Sequence, residues 1–222
     1  CTDIKGCRTI PAIVWSSAAT ALACAWFAIH RNVPYPGQWW GFAQIEVVLV
    51  FVIALALPEW ALAWSVRQWI MSRNLLGKLE ENRKEMLKKI EEWTRAHAFF
   101  IISGGFFYYD HNGKPLYPLS SQDVLEHVLE GELVPPTESE ISDRSKGSSA
   151  SKLLAVLQTA YFVVQCIARL RAHQAVTNIE VMALAYTIIT IPMYFFWWHK
   201  PLNVNCPVRV PMKPTEDTPE TT

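Results

Sequence analysis

Hydrophobic positions fall into four long runs separated by charged stretches. Residues 10–29 hold no charged side chain, and a helix of that length measures about 30 Å, the thickness of a bilayer's hydrocarbon core. A second run, 41–66, is interrupted only by Glu46 and Glu59 and leads into Arg67 and Trp69. Runs at 153–168 and 181–198 complete the set; the third is short, but Lys152 and Arg169 can snorkel from its ends towards head groups. The pattern predicts an all-α membrane protein built on a four-span transmembrane helix bundle. Trp26, Trp39 and Trp40 would mark one interface and Trp60, Trp64, Trp69, Trp197 and Trp198 the other. A water-soluble protein with buried helices is the weaker alternative, given the number and length of these runs.

Between and beyond the spans (1–66 and 152–200) the pattern changes. In 67–97, Leu79, Met86, Ile90 and Trp93 recur at helical spacing among alternating Glu, Lys and Arg, which predicts a stalk helix continuing the second span. Residues 98–151 read as a small extramembrane hairpin-plus-helix region. Its apolar start, Ala98 to Tyr109, contains Gly104 and Gly105 and precedes Asp110-His111-Asn112-Gly113. The segment is too short to cross as a helix, so it reads as a strand or hairpin with an Asn-Gly turn, or as a re-entrant segment bent at the glycines; the turn dipeptide favours the strand. A short helix follows from Ser120 or Ser121, with Asp123 in its first turn, to Gly131. Pro135, Pro136 and 145–151 read as loop. Thr177 and Glu180 have capping-box spacing at the start of the fourth span, and Pro192 should kink that helix. The proline-rich 201–222 segment reads as a disordered tail.

Four spans would put both termini and 67–152 on one face. Lys5, Arg8, Arg67, Arg73, Lys78, Lys200 and Arg209 would lie there, against Arg31, Arg169 and Arg171 opposite, so the positive-inside rule favours a cytosolic location for the termini. Cysteine usage points the other way. Cys1, Cys7 and Cys206 would share that face, a first residue of cysteine suits signal-peptide removal, and two of the three could pair in an oxidising compartment. Cys24 and Cys166 fall within spans, as packing residues.

Basic and acidic residues number 20 each, and their alternation along 80–89 favours a solvated helix face over a nucleic-acid patch, so no nucleic acid is expected as a partner. Ionisable and polar groups inside the spans are therefore the main candidates for chemistry. Glu59, beside Pro58, could bind a proton or cation, act as an acid/base, or pair with Arg67, His199 or Lys200. Gln158 and Gln165, seven residues apart, share a helix face and could join helices or line a cavity. His30, Glu46, Arg169 and Glu180, with Arg31, could form an ion-pair cluster at the other interface. His97, Asp110, His111 and His127 match no metal-ligand spacing, Asp143 to Gly147 lacks the glycines of a phosphate loop, and no nucleophile is paired with a base. No metal and no cofactor is expected.

Cys7-Arg8-Thr9, His30-Arg31-Asn32-Val33-Pro34, Pro58-Glu59, Arg67-Gln68-Trp69, Gly104-Gly105-Phe106, Asp143-Arg144-Ser145-Lys146-Gly147, Gln165-Cys166-Ile167-Ala168-Arg169 and Lys200-Pro201-Leu202 occur in an order that resembles a group of multi-pass membrane proteins of filamentous fungi with no established activity. The resemblance covers nearly the whole chain. It implies a fungal integral membrane protein of the endomembrane system or plasma membrane and assigns no role to any residue. The sequence-based expectation is a non-enzymatic channel, transport or sensing protein, homo-oligomeric and in contact with membrane lipids. A membrane-embedded enzyme acting on a lipid through a carboxylate, and a membrane scaffold or assembly factor, are the alternatives.

Overall fold

In this computed structural model the chain is mostly helical with one small sheet, and residues 9–85, 92–145, 149–172 and 176–211 are described. The elements are α1 (Ile10–Ala28), α2 (Trp40–Ala56), α3 (Pro58–Glu85), α4 (Arg95–Ile102), β1 (Phe106–Tyr109), β2 (Pro115–Pro118), α5 (Ser121–Leu129), α6 (Glu138–Arg144), α7 (Ser149–Arg171), α8 (Asn178–Phe196) and β3 (Val208–Pro211). They divide into two compact units. The first draws on Cys1–His30, Gly41–Trp69 and Gly147–Trp198, the second on Arg31–Trp40, Ile70–Lys146 and His199–Thr222.

In the first unit, α1 packs on α8 and α7, and α7 packs on α8. The seam uses small and hydroxyl-bearing side chains: Ser17, Thr20, Cys24 and Ala28 of α1, Thr159 of α7, and Ala183, Thr187 and Thr190 of α8 are all buried. Small residues let helix backbones approach closely. The hydroxyls of Thr20, Thr187 and Thr190 donate to carbonyls of their own helices, those of Ser16, Ala183 and Thr187.

The direction of these helices follows from their contacts. Cys24 Sγ lies 3.6 Å from Thr159 Oγ1 and 3.9 Å from Thr187 Oγ1, and the His30 and Trp197 rings, just past α1 and α8, are 5.6 Å apart. Both positions advance together, so α1 and α8 run parallel. The Arg169–Glu180 contact joins the end of α7 to the start of α8, which makes α7 antiparallel to both. Four successive crossings would instead set the first and last spans antiparallel.

The reason lies in the second apolar run. It is two helices, α2 and α3, bent by 109° at Leu57. Proline disfavours helical backbone in the residue before it and suits the first turn of a new helix, so Pro58 ends one and starts the other. Among the described residues, α1 and α8 are long and apolar enough to cross a membrane, and a third crossing is counted only if the bent pair is one span. Two or three candidate spans among the described residues leave the expected four-span bundle unconfirmed. Pro192 is accommodated within α8, whose start has the expected capping box: Thr177 Oγ1 accepts from the Glu180 N–H, and Glu180 Oε2 accepts from the Thr177 N–H.

The second unit has its own core, formed by Leu75 and Leu79 of α3, Trp93 ahead of α4, Phe100 and Ile101 of α4, Phe106 of β1, Val124 and Val128 of α5, Ile141 of α6, Val204 and Val210. The sheet order is β2-β1-β3. β1 and β2 form an antiparallel hairpin, whose turn is closed by Asp110 Oδ1 accepting from the N–H groups of Asn112 and Lys114. Pro115 and Pro118 lie in β2, an edge strand, where a missing N–H donor is tolerated.

Two expectations change here, and one helix is additional to them. Residues 98–102 are helical, because Thr94 and His97 cap α4; only 106–109 form a strand. Residues 138–144, in the stretch before 145–151, form a helix capped by Thr137 and Glu140. Part of the expected disordered tail is a strand: Val208–Pro211 pairs in parallel with β1, Phe106 opposite Val208 and Tyr109 opposite Pro211. The stalk helix is present to Glu85, while Met86, Ile90, Cys1 and Cys7 and the chain beyond Pro211 lie outside the described residues.

Candidate functional site

Among the polar candidates of the first unit, the structure brings Arg169, Glu180 and Gln165 together. Glu180 is fully buried. One oxygen accepts from the Arg169 guanidinium and the other from the Thr177 amide and hydroxyl, while Gln165 Oε1 accepts from Arg169 at 3.3 Å. Every group here has a partner that fixes the α7–α8 corner. His30 is placed at the opposite end of α8, its Nδ1 3.0 Å from the Ala28 carbonyl oxygen and its ring beside Trp197. Glu46 is exposed on α2 and Glu59 is exposed in the first turn of α3, while Gln158 is half-buried on α7. The predicted interface cluster is thus divided; Glu59 lies on α3 and Gln158 and Gln165 on α7, the second and third apolar runs that the sequence assigns them to.

In the second unit, His97 is occupied by structure. Its Nδ1 accepts from the Thr94 N–H at 3.1 Å, and Nε2, 2.9 Å from the Pro136 carbonyl oxygen, is the donor. Asp110 builds the hairpin turn, and His111 is exposed.

His127 is different. Its ring, from the last turn of α5, sits between Tyr108 and Glu132, with Nε2 2.5 Å from the phenol oxygen and Nδ1 2.8 Å from Glu132 Oε2. A phenol, an imidazole and a carboxylate in line can hold or relay a proton. The sequence reading named His127 but neither partner, because Tyr108 comes from a strand and Glu132 from the turn beyond α5; Gly131 at the helix end was the local signal.

Two further features complete the unit. Lys200 is buried, its Nζ donating to Asn32 Oδ1 at 2.9 Å, and burial holds its pKa well below the ordinary lysine value. A cleft of about 370 Å³ is lined by Asn32, Val33, Met71, Ser103, Phe107 and Ser120, among others. The buried Ser103 hydroxyl in its lining has no hydrogen-bond partner among the described residues.

Neither a curated protein nor a solved structure matches this chain. A family described as a family of unknown function (DUF8562) matches residues 5–218. That match spans nearly the full length, and the chain belongs to this family.

Proposed function

We propose that the chain is an integral membrane protein of the sensing type, with the first unit embedded in lipid and the second a water-phase module that recognises a ligand or partner. One observation carries this reading. Trp15, Phe42, Met182 and Phe195 are exposed at 77, 61, 63 and 66 %, whereas Ser17, Thr20, Thr159, Thr187 and Thr190 are buried. Apolar outside and polar within suits lipid as solvent, since a water-soluble fold rarely exposes large contiguous apolar patches.

In this reading α7, though less apolar than α1 and α8, crosses the bilayer beside them, and each of the three is about 28 Å or longer at 1.5 Å per residue. Parallel α1 and α8 require an odd number of crossings between them, and in this reading α7 is the single one. The bent α2–α3 pair then enters and returns on one side. Residues 9, 172, 176 and 177 face one compartment; 31–40, 70–85, 92–145 and 199–211 face the other. Of the acid/base groups invoked for a lipid enzyme, His97 and Asp110 are engaged in a helix cap and a turn, while Glu59 and His111 are exposed.

Photolabelling from the lipid phase of reconstituted vesicles tests the embedding. Labels at Trp15, Phe42, Met182 and Phe195, with Tyr117 and Val134 spared, are the expected result. Release of unlabelled protein by alkaline carbonate would overturn it.

Glu46 favours a second element of the proposal, a homo-oligomer. It lies exposed amid Phe42, Ile45, Leu49 and Val52, and a carboxyl facing acyl chains is costly unless another polar group meets it. A second copy presenting the same residue supplies that group, and any conduction path would run between copies rather than through the seam around Cys24. Glu46→Cys should cross-link between copies in membranes; monomers only would remove this element.

A further inference from the structure

We propose that His127, Glu130 and Glu132 bind a divalent transition-metal ion, zinc being the ion whose ligand chemistry fits best. Gly131, with φ of +76°, reverses the chain at the end of α5. The N–H groups of Glu132 and Leu133 then both donate to the His127 carbonyl, at 2.9 and 3.1 Å. This fold-back brings a ring nitrogen of His127 and carboxylate oxygens of Glu130 and Glu132 within 4.8 Å of one another. An imidazole nitrogen and two carboxylates are a zinc-type donor set, and a catalytic-type site with three protein ligands leaves room for water.

The orientation of the imidazole is the independent feature. His127 is more than nine-tenths buried, and Tyr108, from β1, fixes Nε2 from the side away from the carboxylates. Metal-binding histidines are commonly held this way by a hydrogen bond at the other ring nitrogen, which sets the tautomer. With the Nε2 proton given to the Tyr108 oxygen, the Nδ1 lone pair faces Glu132. A bound cation satisfies both the lone pair and the carboxylate. The site also lies at the C-terminal end of α5, where the helix dipole favours positive charge. Glu130 and Glu132 are exposed, so the ion has an entry path and the carboxylates can close to ligand distance. The bound ion ties the end of α5 to the turn that follows it. The spacing His-x-x-Glu-x-Glu matches no familiar motif, and the sequence expectation of no metal is replaced here on geometry.

The test is titration of zinc chloride into the full-length, chelator-treated protein in detergent, followed calorimetrically, with cobalt absorption as a second readout. The expected result is one saturable site, weakened by roughly tenfold or more in Glu132→Gln and in Glu130→Gln. Tyr108→Phe should weaken it while keeping one site, and His111→Gln and Cys206→Ser should leave it unchanged. Glu130 and Glu132 are exposed, so their variants are expected to fold. No saturable binding at micromolar zinc, or binding that both glutamine variants leave intact, would overturn the proposal.

Discussion

Arg169 and Glu180 close the α7–α8 corner: the guanidinium of one, at the end of α7, meets the fully buried carboxylate of the other, in the first turn of α8. The same carboxylate caps α8 through Thr177. Removing the arginine alone would strand a buried charge, which costs about 3–5 kcal/mol. Arg169→Met should therefore lower unfolding stability in detergent by that order. Arg169→Met with Glu180→Leu should lose less than the sum of the two single variants, because the double variant leaves no orphaned charge. A strictly additive result in a double-mutant cycle would mean that the pair does not act as a unit.

Two glycines should respond in opposite directions. A Cβ on Gly105 would stand 2.5 Å from Phe100 ring carbons and 2.6 Å from the Phe100 carbonyl oxygen, a backbone atom that cannot step aside. Gly105→Ala should cost about 3 kcal/mol, at the upper end of ordinary overpacking, and should disturb the second unit's core. Gly77, within α3, has nothing within 4 Å of such a Cβ, and Gly77→Ala should stabilise by up to about 1 kcal/mol. Thermal or denaturant melts of the two variants decide both points.

Gln68 and Trp197 offer a third check. The indole N–H donates to Gln68 Oε1 at 2.8 Å, and both residues are buried. Gln68→Leu leaves that donor without this acceptor, at a cost of about 1–3 kcal/mol. A change in Trp fluorescence should accompany the loss; a stability equal to the wild type would show that the bond contributes nothing.

Lys200 predicts a pH dependence. Burial lowers its folded pKa, whereas the unfolded chain keeps the proton up to the ordinary value near 10.5. Between those two values unfolding takes up a proton, so stability rises with pH through the window and is fully gained above 10.5; it is lost as pH falls to the folded pKa. Lys200→Met should flatten this slope in unfolding measured between neutral pH and about pH 10. An unchanged slope would assign the dependence to another group.

These residues also show what the sequence could tell. The capping pairs Ser120–Asp123 and Thr177–Glu180 were legible because they act within one turn, and α5 and α8 begin where they predict. The Thr137–Glu140 pair carried the same signal but was overlooked beside Pro135 and Pro136. Pro58 was visible, yet the continuous apolar run concealed that it separates two helices. β3 was not legible at all, since its parallel partner β1 lies about a hundred residues away and no local pattern announces it. Arg169 and Glu180 both belong to the ion-pair cluster that charge and position suggest, but which partner each takes, and the place of His30, depend on how α1, α7 and α8 pack. The Tyr108–His127–Glu132 line needed the fold, because a strand, a helix and a turn each supply one member.

The parallel course of α1 and α8 is the relationship from which the proposed topology follows, and sided labelling of cysteines measures it most directly. Variants keeping only Cys7 or only Cys206 among the cysteines outside the helices would be reconstituted into sealed vesicles of one orientation and treated with an impermeant maleimide. Three crossings predict that Cys7 and Cys206 react from opposite sides of the membrane. Reaction of both from the same side would contradict the account and restore an even number of crossings.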